Sequence, residues 1–289
     1  MTIEDVCKTV KKSVILSDYT SVKIGGICDT VAYPEWGEFY STLSYLDCKV
    51  PYVVLGRGSN TLISDSGFRG VVVTTAKLSL VEVDSNGIVC QCGASLPKIS
   101  KIAKEHSLSG LEWAVGIPAS IGGALVTNAG AYGGCIGDIV EWAEIFRRGK
   151  AYVYDGSDLD FGYRHSKVSD LGTVGRVKLR LSPDLVKNVE EREREIRIKR
   201  ASTQPVGLSL GSVFKAHNGV SAGYYLDKAG LKGVSIGGAM ISDVHAGFII
   251  NRGGATAKDY LALIELAEEV VAKKYGIKLQ REIKLLGEI

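Results

Sequence analysis

The short apolar run Tyr52-Val-Val-Leu55 leads straight into Gly56-Arg57-Gly58-Ser59-Asn60, and the next regular stretch, Gly70-Val-Val-Val-Thr74, is again a strand. In a Rossmann dinucleotide fold the glycine loop would open a helix. A strand–loop–strand plan departs from that topology. A second loop of small residues, Gly116-Ile-Pro-Ala-Ser-Ile-Gly-Gly-Ala124, continues into Thr127-Asn-Ala-Gly-Ala-Tyr-Gly-Gly134. Glycine is in excess, with 35 among 289 residues where an average chain has roughly 20. One such loop is most often only a turn. Two of them let successive backbone N–H groups converge on an anion with no side chain in the way, which suits a diphosphate carrying a large aromatic group.

The remaining pattern mixes helices and strands without a βαβ rhythm, which predicts an α+β fold. Residues 2–12 read as a helix, with Thr2 capping, Asp5 at N3, and Ile3, Val6 and Val10 on one face. A second helix is expected over 35–46, and Asp18–Gly26 as an extended piece. Ser85-Asn86-Gly87 between two alternating runs marks a hairpin. Ser95 caps a helix running to His106, with Leu96, Ile99, Ile102 and Ala103 facing inward. Strands follow at 139–147, 151–154 and 173–181. Residues 184–200 read as a solvated connector helix, with Glu190/Arg194 and Glu193/Arg197 spaced i,i+4. Further helices are expected near 222–229 and from Thr256 to Tyr275, the latter ended by Gly276. A last strand spans Arg281–Leu286.

Several classes are disfavoured. A net charge of +3, with acidic residues interleaved through the basic ones, carries no nucleic-acid stripe. No run approaches the ~18 apolar residues of a membrane span, and Met1–Lys12 lacks a signal-peptide apolar region. The six cysteines (7, 28, 48, 90, 92, 135) form no C-x-x-C pair and read as reduced thiols of a cytoplasmic protein. The four histidines share no ligand spacing, so no metal site is expected. His245 reads as a packing or backbone-bonding residue.

Three side chains stand out against plainer readings. Ser212, in Gly211-Ser-Val-Phe-Lys215, sits between flexible glycines beside an aromatic and a cation, although a Gly-Ser turn entering a strand is common. Arg164, in the polar turn Tyr163-Arg-His-Ser166, is either a solvated surface residue or a fork for a ligand carboxylate. Glu282, in an apolar C-terminal stretch, can simply point outward.

Taken together, Leu55–Asp65, Gly116–Ala124, Asn128–Gly133, Tyr163–Ser166, Gly211–Lys215 and Arg281–Gly287 resemble, block by block and in order, the UDP-N-acetylenolpyruvoylglucosamine reductase family, in its compact subtype. The resemblance implies an FAD-binding fold of the vanillyl-alcohol-oxidase type. One flavin subdomain would span 1–76, with 282–289 returning to it; a second would span 77–200, and a substrate domain 201–281. It implies noncovalent FAD, because the flavin-linking His or Cys of some relatives is absent from Gly56–Asn60. NADPH would be the hydride donor, sharing one pocket alternately with a UDP-sugar enol ether. Gly56, Arg57, Gly58, Ser59, Asn60, Gly116, Ile117, Pro118, Ser120, Gly122, Gly123 and Asn128 would hold the flavin, and Tyr163 and Lys215 the nucleotide. Arg164 and Glu282 would stabilise charge on the substrate carboxylate, and Ser212 would be the general acid. A monomer is compatible with that role. Two other outcomes are a flavin oxidase of the same fold acting on an alcohol, and a non-catalytic FAD- or nucleotide-binding protein. The chain departs from the family pattern at Ala119, Thr127 and Ala216-His217.

Overall fold

The computed structural model describes residues 2–47 and 49–288. The chain forms two compact units, each discontinuous in sequence. The first comprises Met1–Lys11, Thr30–Arg57 and Gly70–Arg200; the second comprises Lys12–Asp29, Gly58–Arg69 and Ala201–Ile289. The helices among the described residues are α1 (Trp36–Leu46), α2 (Leu96–Glu105), α3 (Ile121–Thr127), α4 (Val168–Leu171), α5 (Val186–Thr203), α6 (Ala222–Lys228) and α7 (Ala257–Tyr275).

The first unit is built on a five-stranded antiparallel sheet in the order Lys150–Asp155, Val140–Arg147, Thr173–Arg180, Gly87–Gln91, Val81–Asp84. The Ser85-Asn86 hairpin sets its last register by pairing Asp84 with Gly87. Ser95 caps α2 as expected, its hydroxyl accepting from Lys98 N–H, and Leu96, Ile99 and Ala103 are buried. These join Phe39, Ile121, Leu125, Ile145, Val177 and Leu179 in one core. The second unit has a core of its own around Val22, Ile24, Leu62, Leu210, Leu226, Tyr260, Leu263 and Ile283. Helix α7 supplies its spine, with Thr256 accepting from Asp259 N–H at one end and left-handed Gly276 at the other. A further sheet has the order Val10–Ile15, Ile27–Ala32, Phe68–Thr74, Tyr52–Leu55, the last two strands running parallel.

Three expectations are corrected. Residues 2–12 form no helix. Only Ile3–Asp5 makes a helical turn, with Thr2 N–H donating to Asp5 Oδ2 (2.6 Å), and Val10–Ile15 is a strand. An isolated helix of this length is marginal, whereas the β-branched run finds a pairing partner, starting with Tyr33 N–H to Thr9 O at 2.9 Å.

The charged helix α5 is docked. Glu193 does meet Arg197 (3.4 Å), but it is also buried against Ser100 Oγ (3.0 Å) and Lys104 (3.2 Å) of α2. Glu190 turns to Lys104 and Arg194 to Glu191. Finally, the C-terminal strand is only Lys284–Leu286, running parallel to Thr61–Ile63, a strand the local pattern did not announce.

Cys7, Cys28, Cys90 and Cys92 are unbridged and buried, and Cys135 is unbridged and half-buried. Burial pushes the Cys92 thiol up to about 12. Cys48 lies outside the described residues. Among the described residues no helix is long and apolar enough to cross a membrane.

Candidate active site

The two glycine loops are shaped by what surrounds them. In the first unit, a Cβ added to Gly56 would sit 2.2 Å from Ser120 Oγ, so the first loop reaches the second only because residue 56 has no side chain. Ser120 is buried and starts α3, its hydroxyl accepting from Gly123 N–H at 3.4 Å. The second loop is laced to residues 92–96: Leu96 N–H donates to Ala119 O (2.9 Å), Ile121 N–H to Ala94 O (2.8 Å) and Gly122 N–H to Cys92 O (2.9 Å). Ile117 N–H donates back to Ala114 O (3.0 Å) and Ala119 N–H to Ile117 O (2.9 Å).

The second loop is therefore a smooth wall of small residues more than a nest of outward N–H groups. Arg200 closes one end by donating from Nη2 to Gly116 O (3.0 Å). Ala119 is not among the described residues with positive φ, so its methyl bears no left-handed strain. A cradle this bare of side chains fits a bulky planar cofactor with a diphosphate.

The first loop continues in the second unit. There Gly58 (φ +57°) packs so close to Tyr19 O that a Cβ would lie 2.0 Å from it. Asn60 Nδ2 donates to Glu282 O (3.2 Å), and Lys284 N–H returns to Asn60 O (2.9 Å). Glu282 N–H in turn donates to Val213 O (2.8 Å), and Lys215 N–H to Gln280 O (2.8 Å). The segments that carry Ser212, Glu282 and Asn60 are thus tied together within one unit by main-chain bonds and the Asn60 amide.

Ser212 ends the strand Leu208–Ser212, whose register against Phe248–Asn251 is irregular between Ser209 and Ser212. Irregularities of this kind re-aim a side chain. The Ser212 hydroxyl donates to Phe214 O (3.1 Å), so it must turn away from that carbonyl to serve a ligand. Arg281 is explained structurally: its guanidinium makes a two-pronged pair with Glu268 of α7 (2.7 and 2.7 Å), fixing the segment that carries Glu282. His245 Nδ1 accepts from Gly247 N–H (3.0 Å), as a backbone-bonding histidine does. Burial holds its pKa below the ordinary value.

Arg164 belongs to the first unit. It sits with Tyr163 at the tip of a turn closed by reciprocal bonds between Gly162 and His165 (3.0 and 3.1 Å). Its Nη2 donates to Gly130 O (2.9 Å), and its guanidinium lies 5.5 Å from the centre of the exposed Tyr163 ring. The turn borders a pocket of about 400 Å³ lined by Asn128, Cys135, Gly137, Asp138, Phe161, Gly162, Tyr163 and Arg164. Sequence reading singled out Asn128, Tyr163 and Arg164 here but not Cys135, Gly137, Asp138, Phe161 or Gly162. The signal available was the small-residue run continuing past Gly134, which leaves room for a cavity.

An α+β fold with two glycine loops walled by small residues defines a protein that binds an extended nucleotide cofactor. Residues 44–151 match the family model described as "FAD binding domain", and residues 204–286 the one described as "UDP-N-acetylenolpyruvoylglucosamine reductase, C-terminal domain". The chain is 41% identical over 275 residues to the UDP-N-acetylenolpyruvoylglucosamine reductase of Caldanaerobacter subterraneus subsp. tengcongensis, covering 93% of this chain and 91% of that one. It is 37% identical over 289 residues to that of Clostridium tetani, covering 97% and 93%. The crystal structure of UDP-N-acetylenolpyruvylglucosamine reductase from Thermus caldophilus superimposes with a TM-score of 0.85 at 36% identity, covering 96% of this chain and 99% of that one. This chain belongs to the UDP-N-acetylenolpyruvoylglucosamine reductase family, and its fold is the FAD-binding α+β fold of that family.

Proposed function

We propose that this flavin-dependent oxidoreductase reduces UDP-N-acetylglucosamine enolpyruvate to UDP-N-acetylmuramate, a peptidoglycan precursor, at the expense of NADPH. Bound FAD would supply the hydride chemistry that links NADPH to the enol-ether double bond. The bare loops around Gly56, Ser120, Gly122 and Gly123 would hold FAD noncovalently. Hydride addition to the terminal carbon pushes negative charge into the substrate carboxylate. Arg164, as a fixed cation, and Glu282, as a hydrogen-bonding acid, stabilise that charge. Ser212 then gives its hydroxyl proton to the carbon bearing the ether oxygen, so one hydride and one proton add across the double bond. Tyr163 and Lys215 contact the nucleotide. The reading takes the protein as a cytoplasmic monomer, and the unbridged cysteines among the described residues accord with a reducing compartment.

The observation that supports this reading best is the chain of ties from Asn60 through Glu282 to Val213, which joins the segments carrying an acid and a serine to the end of the first glycine loop.

The test separates the two half-reactions in anaerobic stopped flow. NADPH should bleach the flavin, and the enolpyruvyl nucleotide should restore its colour. In Ser212→Ala the second step should slow by ~10²-fold or more relative to the first. Equal slowing of both steps would make Ser212 structural. A wild-type protein that stays bleached with the nucleotide but recolours in oxygen would be an oxidase.

A further inference from the structure

Helix α3 ends at Asn128, which adopts a left-handed conformation (φ 43°, ψ 59°). Glycine is the usual residue at such a helix end and meets the backbone requirement at least as well. The asparagine is 6% exposed, and it brings an amide that is engaged on both sides. Its Nδ2 donates to Gly162 O (2.8 Å), and its Oδ1 accepts from Gly137 N–H (3.0 Å).

Gly162 is the first residue of the turn that carries Arg164. The turn's other end is also attached to the C-terminus of α3: the buried Ser166 hydroxyl lies within donating distance of Leu125 O (2.8 Å) and Val126 O (3.1 Å), carbonyls of the last helical turn. Between these anchors Arg164 is held at φ 52°. That region is sparsely populated by non-glycine residues and persists where the surroundings over-determine it. A four-residue turn held at both ends by one helix terminus is such a surrounding.

We infer that Asn128 is a positioning residue for Arg164. Its amide fixes the entry of the turn, keeps Arg164 in the left-handed conformation, and so aims the guanidinium at the substrate carboxylate. The inference rests on the reading of Arg164 as the carboxylate-binding residue. It assigns to Asn128 a role different from the flavin contact implied by the resemblance.

The experiment compares Asn128→Gly, Asn128→Asp, Arg164→Ala and the double variant Asn128→Gly/Arg164→Ala as FAD-loaded full chains. Glycine keeps the left-handed helix end, so the first variant folds without backbone strain. Aspartate keeps the acceptor for Gly137 but loses the donor to Gly162. Three quantities are read: FAD dissociation constant, flavin reduction by NADPH, and reoxidation by the enolpyruvyl nucleotide.

Both Asn128 variants should bind FAD within about 2-fold of wild type. Their reoxidation should slow by ~10-fold or more relative to flavin reduction, as misplacement of a reacting partner does. The double variant should be no slower than Arg164→Ala alone. Weakened FAD binding, with both half-reactions falling together, would make Asn128 a cofactor ligand and overturn the inference. Wild-type reoxidation in Asn128→Asp, or additive losses in the double variant, would overturn it as well. If Arg164→Ala itself reoxidised normally, the assignment of Arg164 would fall and the positioning role with it.

Discussion

A methyl group on residue 56 would have to share 2.2 Å with Ser120 Oγ. Ser120 is buried between residues tied to 94 and 96, and its hydroxyl can rotate away only by giving up its cap on Gly123 N–H. Overpacking of this kind costs about 1–3 kcal/mol. Gly56→Ala should therefore weaken FAD binding by about 5-fold or more, read by flavin fluorescence titration, whereas Ala119→Gly should leave that affinity nearly unchanged. Equal effects at the two positions would remove the close approach of the loops as the reason for glycine.

At this scale the sequence was a partial guide. The glycine loops and Ser212 were legible because their residue types are unusual in those places. The acceptors that consume the Ile121 and Gly122 N–H groups lie in residues 92–96, and no local pattern shows that pairing. Asn128 was read as a flavin contact and Ser166 as an ordinary loop polar, and no local pattern shows the turn that both hold.

Among the elements, α5 shows how a helix that reads as solvated comes to be anchored. Arg192 donates to Glu112 (2.8 Å), Asp184 (2.5 Å) and Ser109 Oγ (3.1 Å). Burial pushes the Glu112 carboxyl up, but Arg192 and the Gly110 N–H outweigh it and hold it below the ordinary value. Arg192, then Asn188, hold Asp184 low too. Groups with depressed folded values contribute stability that is fully present above their unfolded values, near ~4. That stability is lost as pH falls through the folded values.

Arg192→Gln should destabilise the protein by about 1–2 kcal/mol at pH 7 through the bonds to buried Glu112, discounted because Arg192 is half-exposed. The gap from wild type should shrink as pH drops below ~4. Urea unfolding at the two pH values checks this, and a gap that widened in acid would reverse the argument. Helix ends and hairpins were readable because caps and Asn-Gly turns act locally. Val10–Ile15, Ile27–Ala32 and Thr61–Ile63 were misread or missed because their order comes from distant partners.

The whole molecule carries two cores, and neither is drawn from one continuous stretch. The core of the second unit needs Val22, Ile24 and Leu62, all essentially buried, together with residues after 208. A fragment of residues 201–289 lacks those three side chains, each worth about 2 kcal/mol on burial, and lacks the partner of Lys284–Leu286. The sum approaches the net stability of a small domain. The fragment should therefore show weak near-ultraviolet dichroism and no cooperative urea transition, although residues 204–286 match a domain model. A sharp transition would show that the N-terminal pieces are dispensable.

The tie between Asn60 and Glu282, separated by 222 residues, has a consequence in time. At ribosomal speeds of ~5–20 residues per second, Thr61–Ile63 waits roughly 10 to 45 seconds for Lys284–Leu286 to be made. During that interval an apolar strand edge and Leu62 have no native cover. The acid at 282 takes its place beside the first glycine loop only when that wait ends, so the second unit spends most of its own synthesis dependent on whatever keeps exposed strands from finding the wrong neighbour.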